Sequence, residues 1–366
     1  MRSTKTKTIT VPEGYAQQAA FREWAHEACV VNLLAPIIRE GREVVIVTHK
    51  GRFHGDDNVG CAILLKLIAE LGGTAIIRRV DRDDQEALDA ADIQVDIGGE
   101  FNPSRGRFDH HQAGGAGYRY TRRGVDIPFS SCGLVWLSCG LFLTDLNVEV
   151  FEHIDWNLIR GLCASDNGAT MPNGFRFEDQ HGIQREVPGS PSHLSDEIGK
   201  MNDLPAYDSF RGQLYDPEAS RDEQKMAKFM IALKEKAYTS LICNLEQAMK
   251  GPAARKAIES ALPEMQSGVL VLPNVRWQGE LSKVDGHRQV RIVIREANEG
   301  YELKCLYSLK APVAWRGLSN GELLSVTGIQ GLKFCHHGGQ IIGAESREAA
   351  LAAAKVILQE HRRVAA

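Results

Sequence analysis

Between Val44 and Ile97 the chain alternates short β-branched runs with helical stripes, and this alternation narrows the architecture more than any other feature. Val44 to Thr48 (VVIVT) fits a buried strand, and Val59 to Leu71 follows with Val59, Ile63, Leu67 and Leu71 on one helical stripe. Thr74 to Val80 reads as a second strand, Asp83 to Ala90 as a short helix, and Ile93 to Ile97 as a third strand stopped by Gly98-Gly99. The pattern predicts an α/β fold, a parallel sheet with covering helices, in which ligands gather beyond the carboxyl ends of the strands. His49 and Asp96 sit at or near those ends.

Further along, Ser130 or Ser131 can cap a helix running to about Phe142, and Val148 to Leu162 is amphipathic, with Asp166 just beyond it. Gly168 through Pro191 is polar and rich in Gly and Pro, so it reads as a long loop. Asp216 to Lys250 has a long helical pattern. Strand-like runs follow at Gly268 to Leu272, Val290 to Arg295, Tyr301 to Ser308 and Leu332 to His336, then a helix from about Ser346 to Glu360. These last hundred residues predict a second α/β unit.

Length and composition bound the function. At 366 residues with 43% hydrophobic content, two globular units with substantial cores are expected. A net charge of -4 argues against a protein that coats nucleic acid through a broad basic face, and confines any such binding to a local groove. The eight cysteines form no C-x-x-C pair, so neither a zinc ribbon nor a redox motif is present, and buried thiols in a reducing compartment are expected. Met1 to Gly14 lacks the apolar stretch of a signal peptide and reads as a frayed tail, and no run approaches a membrane span. A soluble, cytoplasmic protein is expected.

Six of the twelve histidines fall in three clusters: His49 with His54, His110 with His111, and His336 with His337. A single Asp or His at a strand end is more often a cap or a satisfied polar residue. The conjunction is what argues for a metal: His49, His54 and Asp56 after the first strand, Asp96 ending the third, then Asp109-His110-His111, then Asp166. Imidazoles mixed with hard carboxylate oxygens favour manganese, iron, cobalt or zinc over magnesium. If two ions bind, Asp56, Asp96 and Asp166 cancel three of four positive charges, which leaves the site attractive to phosphate. Two ions about 3.5–4 Å apart can lower the pKa of a shared water and stabilise the oxygens of an in-line displacement. No G-x-S-x-G, Walker loop, G-x-G-x-x-G or H-E-x-x-H competes with this reading.

With those four stations in this order, the sequence resembles the DHH phosphoesterase superfamily, and within it the melanocyte-proliferating-gene exonuclease family. The likeness runs from about Val44 to about Lys355 and includes THKGRFHGDD (Thr48 to Asp57), VDIGGEFNPSRGRFDHHQ (Val95 to Gln112), SDNG (Ser165 to Gly168), WRGL (Trp315 to Leu318) and the stretch from Phe334 to Leu351. The resemblance implies an extension over 1–40, a metal-binding catalytic domain over 41–212, a helical connector over 213–262 and a smaller substrate-binding domain over 263–366. It implies that His49, His54 and Asp96 hold one divalent ion while Asp56, Asp96, His110 and Asp166 hold the other, with Asp96 bridging. The ions implied are Mn2+, with Mg2+ or Co2+ as alternatives. His111 would face the substrate phosphate or leaving group, and Asp109 would orient the histidines. Arg316, His336 and the backbone of Gly338 and Gly339 would cradle phosphate. Trp315 would either stack on a base or serve as a core aromatic, and His337 departs from the branch's usual small residue. His54 stands where most superfamily members carry Asp, which makes the site softer and more positive by about one charge.

The activity implied is removal of nucleotides from the 3′ end of RNA by a metal-dependent hydrolase. The residues alone reach phosphoester hydrolysis. They leave open a small substrate, such as a short oligonucleotide, a dinucleotide or pyrophosphate, and also a metal-stabilised binding module without turnover. A homo-oligomer is compatible with the sequence; proteolysis has no motif behind it.

Overall fold

The computed structural model describes residues 30–119, 127–168, 175–178, 184–187, 193–205, 207–208, 212–213 and 218–365. The expected N-terminal tail lies outside these residues, as do most of the extension and most of the expected 168–191 loop. The described residues fall into two compact units divided between Ala248 and Met249. Among them no helix is long and apolar enough to cross a membrane.

The first unit begins with a helix, α1 (Val31–Arg39), and then realises the alternation read from the sequence: β1 (Val44–His49), α2 (Gly55–Glu70), β2 (Ala75–Val80), α3 (Gln85–Asp89) and β3 (Ile93–Val95). Two very short strands, β4 (Phe101–Asn102) and β5 (Arg107–Phe108), complete a five-stranded sheet in the order β2-β1-β3-β5-β4. Strands β2, β1, β3 and β5 run parallel, and only the edge strand β4 is antiparallel. The α/β expectation therefore holds, with β3 two residues shorter than read.

Two helices form the heart of this unit. Most of α2 is buried, and α4 (Ser131–Leu143) is buried continuously from Ser131 to Leu141, which is how a helix apolar on all sides behaves. Their close approach to β3 depends on Gly60, where an added Cβ would lie 2.8 Å from Val95 Cγ1 and 3.6 Å from the Cys132 Cα. We expect Gly60→Ala to cost about 1–3 kcal/mol by pushing α2 off the sheet. Urea unfolding checks this, and an unchanged midpoint would show room that the packing does not contain.

After α4, the amphipathic stretch is a helix in three pieces: α5 (Val148–Ile154), a π-helical turn Asp155–Ile159, and α6 (Arg160–Asp166). Asp166 is thus the last helical residue and not a loop residue beyond the helix. The expected long loop contains two short antiparallel strands, Phe175–Glu178 and Gln184–Val187. Helix α7 (His193–Lys200) and a 3-10 turn, Met201–Asp203, follow. The long helical pattern becomes α8 (Arg221–Ala232), a π-helical segment Leu233–Tyr238, and α9 (Thr239–Ala261), which runs eleven residues past the expected end at Lys250.

The second unit is built on a mixed sheet of β6 (Val269–Leu272), β7 (Ile292–Ala297), β8 (Gly300–Cys305), β9 (Leu332–Cys335) and β10 (Ile341–Ala344), ordered β6-β7-β8-β10-β9. Only β6 and β7 are parallel. Strand β10 was not read from the sequence; Gly338-Gly339 therefore turns the chain between two strands. Helix α10 (Asn320–Thr327) precedes β9, and α11 (Arg347–Ala365) packs Ala349, Ala350, Ala353, Ala354 and Ile357 into one core with Ile292, Leu303 and Ile342.

Candidate metal centre

Three adjacent parallel strands end on three of the four stations. In the register of β1 and β3, Thr48 lies opposite Val95, so the next residues, His49 and Asp96, are neighbours. Val95 in turn lies opposite Phe108 of β5, which is followed by Asp109, His110 and His111. Asp96 leaves β3 with φ of 59°, a left-handed conformation that Asp tolerates better than most side chains, and its N–H donates to Phe108 O at 3.0 Å. Helix α2 contributes His54 at its N-cap and Asp56 in its first turn, and α6 contributes Asp166 at its end.

These side chains converge on Asp96, which is fully buried. Its Oδ2 lies 3.2 Å from His49 Nε2 and 3.3 Å from His54 Nε2, and its Oδ1 lies 3.7 Å from His110 Nε2 and 3.4 Å from His111 Nδ1. Asp166 reaches His54 Nδ1 at 3.2 Å and His110 Nε2 at 3.0 Å. Single donor atoms from His49, His54 and Asp96, and from Asp56, His110 and Asp166, lie within 4.8 Å of one another. So do those of Asp96, Asp109, His110 and His111.

The donor set fits a cation. His49 Nε2, His54 Nδ1, Asp96 Oδ2 and His110 Nε2 are buried yet make no directional hydrogen bond, although N and O atoms stand 3.0–3.7 Å apart. Orphaned buried polar atoms are costly, and a metal ion in their midst would satisfy them. His49 Nδ1 lies 2.8 Å from Lys50 O. A carbonyl only accepts, so Nδ1 carries the proton and Nε2 presents its lone pair. Asp56 is 1% exposed and accepts from Ser131 N at 2.8 Å and Cys132 N at 2.7 Å, the N-terminus of α4 holding its charge.

Titration follows the crowding. Burial, reinforced by the charges of Asp56 and Asp57, pushes the Asp96 carboxyl up to about 6 against the pull of His49 and His54. Asp166 is raised by burial and then by Asp56. Burial works to lower the His110 imidazole, but the carboxylates of Asp166, Asp56 and Asp96 outweigh it and raise it to about 9. Left to themselves, these groups hold protons to balance buried negative charge; a divalent cation does the same and more strongly.

Asp109 stands apart in chemistry. Its two oxygens accept from Gly99 N at 2.7 Å, His110 N at 2.8 Å, His111 N at 3.2 Å and His111 Nδ1 at 2.7 Å. A carboxylate so fully engaged orients its neighbours. His111 itself is 47% exposed, with Nδ1 the nitrogen engaged by Asp109. One residue of the site was given no role from the sequence: Asp57, fully buried, whose Oδ1 accepts from His54 N at 2.9 Å and whose unpartnered Oδ2 lies 3.6 Å from His49 Nε2. The signal was a carboxylate three residues after a helix N-cap.

The remaining sequence candidates lie in the second unit. Arg316 Nε and Nη2 donate to Ala311 O at 3.0 and 2.9 Å, and Gly339 O accepts from Ala311 N at 2.7 Å, so Arg316 and the Gly338-Gly339 turn are brought together. Gly338 N donates to His336 Nδ1 at 3.1 Å and Gly339 N to His336 O at 2.7 Å. Both glycine amides are therefore engaged within the turn. His336 and His337 are exposed, their ring centroids 4.1 Å apart. Trp315 is 4% exposed within the core of this unit, which is the core-aromatic placement and leaves no open ring face for a base.

A family model described as "Uncharacterised protein family (UPF0160)", that of the MYG1 exonucleases, matches residues 45–358. The "MYG1 exonuclease" of Mus musculus is 27% identical over 357 residues, covering 86% of this chain and 85% of its own. That of Homo sapiens is 25% identical over 356 residues, with 86% of each chain covered. Among solved structures, exonuclease RecJ bound to manganese is 18% identical with a TM-score of 0.27 over 96% of each chain. A pGpG-specific phosphodiesterase, PggH, from Vibrio is 14% identical with a TM-score of 0.23, over 87% of this chain and 98% of its own. Structural overlaps this loose say nothing about activity.

Proposed function

Because the chain belongs to the MYG1 exonuclease family, we propose that it is a metal-dependent hydrolase of phosphodiester bonds, a 3′-to-5′ exoribonuclease using two divalent ions, manganese foremost. The observation that supports this most is the convergence on Asp96 of His49, His54, Asp56, His110 and Asp166, drawn from separate stretches, with buried lone pairs left unpartnered. His49, His54 and Asp96 would hold one ion, and Asp56, Asp96, His110 and Asp166 the other. Bound there, such ions supply Lewis acidity to phosphate oxygens and lower the pKa of water.

The chain's own groups do the rest. The Lys50 carbonyl keeps His49 in the metal-binding tautomer, and the N-terminus of α4 keeps Asp56 ionised and fixed. Asp109 holds His111 Nδ1–H, so that Nε2 meets the substrate phosphate or, when protonated, hands a proton to the departing oxygen. Asp57 returns to the site the negative charge that an imidazole at position 54 does not carry. In the second unit, the exposed His336 ring and the Arg316 Nη1 group are the donors left to meet a substrate phosphate. Buried thiols at Cys61, Cys132, Cys139, Cys163, Cys305 and Cys335, none of them in a disulfide, support a reducing, cytoplasmic setting.

The test is a side-by-side incubation of purified protein and Mn2+ with 3′- and 5′-labelled RNA, single-stranded DNA, a dinucleotide and pyrophosphate. Stepwise loss of nucleotides from the RNA 3′ end, abolished by chelator, is the expected result. Faster turnover of the dinucleotide or pyrophosphate would move the assignment to a small substrate, and no turnover of any would leave a binding module.

A further inference from the structure

The ring of His54 is placed differently from those of His49 and His111. His49 is oriented by Lys50 O at 2.8 Å and His111 by Asp109 at 2.7 Å, whereas both ring nitrogens of His54 face carboxylates of the site itself, Nδ1 3.2 Å from Asp166 and Nε2 3.3 Å from Asp96. Histidines that bind metals ordinarily owe their orientation to such a partner. For His54 the backbone on either side is what is held, and it is held by the stretch from α7 to Asp203.

Asn202 sits in the turn after α7 with its carboxamide against Phe53, the residue before His54. Its Oδ1 accepts from Phe53 N at 3.1 Å and its Nδ2 donates to Phe53 O at 2.8 Å, so one side chain satisfies both backbone groups as a neighbouring strand would. Nδ2 also donates to Gly199 O at 2.9 Å, and Lys228 Nζ donates to Asn202 O at 3.1 Å, which fixes the brace itself. The Phe53 ring is buried edge-on to Phe229, centroids 5.7 Å apart, with the Arg79 guanidinium 5.5 Å from its centroid. On the other side of His54, a Cβ at Gly55 would lie 3.0 Å from the Ser195 Cα and 2.8 Å from Leu162 Cδ2. Arg52 adds a bidentate pair to Asp203 at 3.1 and 3.0 Å.

We propose that Asn202 is a positioning residue that sets the His54 imidazole for the ion it shares with His49 and Asp96, acting through the Phe53 peptide groups. This rests on the two-ion reading above. Loss of the carboxamide releases the Phe53 peptide groups, and the His54 ring shifts from the donor position while Asp56, tied to α4, stays in place.

The experiment compares parent, Asn202→Ala, Asn202→Asp and His54→Ala by Mn2+ titration followed by electron paramagnetic resonance, amide hydrogen exchange and thermal melting. Asn202→Asp keeps the acceptor for Phe53 N and replaces the donor to Phe53 O, so it reports on the brace even if the alanine variant folds poorly. The expected result is faster exchange at the Phe53 amide and one Mn2+ equivalent bound about 10–100-fold more weakly, the same equivalent that His54→Ala weakens. With RNA, kcat should fall while KM holds. Two equivalents bound as in the parent, by a folded Asn202 variant, would overturn the proposal while His54→Ala still weakens one. A parent that takes up no Mn2+, or a His54→Ala protein that titrates like the parent, would instead remove the two-ion reading and this proposal with it.

Discussion

Asp96→Asn should abolish turnover of 3′-labelled RNA in Mn2+, lowering the rate by about 10³-fold or more, while the fold survives. Asn keeps the shape of the side chain and tolerates the left-handed backbone that Asp96 adopts at φ 59°, so the change removes charge and little else. That charge matters because both oxygens of Asp96 are within 3.2–3.7 Å of imidazole nitrogens on both sides of the site. The metal-free protein should melt no lower than the parent, since a buried carboxylate pushed up to about 6 by its surroundings is a destabilising group. Initial rates together with melting curves check both halves. A variant that turns over normally would mean that no ion needed for turnover depends on Asp96.

The second large effect is expected at His111. His111→Ala should lower kcat by about 10²–10³-fold, the range of a lost general acid or phosphate contact, with metal content unchanged. Its Nδ1 is held by Asp109 Oδ1 at 2.7 Å and its ring is 47% exposed, whereas His110 beside it is 9% exposed and lies 3.0 Å from Asp166. Metal analysis of the purified variant separates the roles. Loss of one equivalent would place His111 among the ligands, a position its 3.4 Å approach to Asp96 Oδ1 allows.

Some of this was legible in the sequence because it depends on periodicity. The run VVIVT, the stripe from Val59 to Leu71 and the strand-end positions of His49 and Asp96 all follow from patterns that local chemistry imposes. Strand β5 was missed because it is two residues long and exists through pairing with β3 and β4, which no local pattern announces. Yet it is what lifts Asp109-His110-His111 to the same sheet edge as Asp96. Asp166 was read just outside a helix because the π-helical turn at Asp155–Ile159 shifts the phase of the stripe. Strand β10 was hidden by the glycines before and within it. Asn202 carried no signal at all, since a lone polar residue in a turn gains meaning only from the Phe53 peptide groups it meets from 149 positions away.

The site is proposed to hold two divalent cations that would share Asp96. Crystals soaked in Mn2+ and measured for anomalous scattering test it most directly. The expected result is two peaks, one bounded by His49, His54 and Asp96 and the other by Asp56, Asp96, His110 and Asp166, with Asp96 touching both. A single peak away from Asp96, or none at saturating Mn2+, would contradict it.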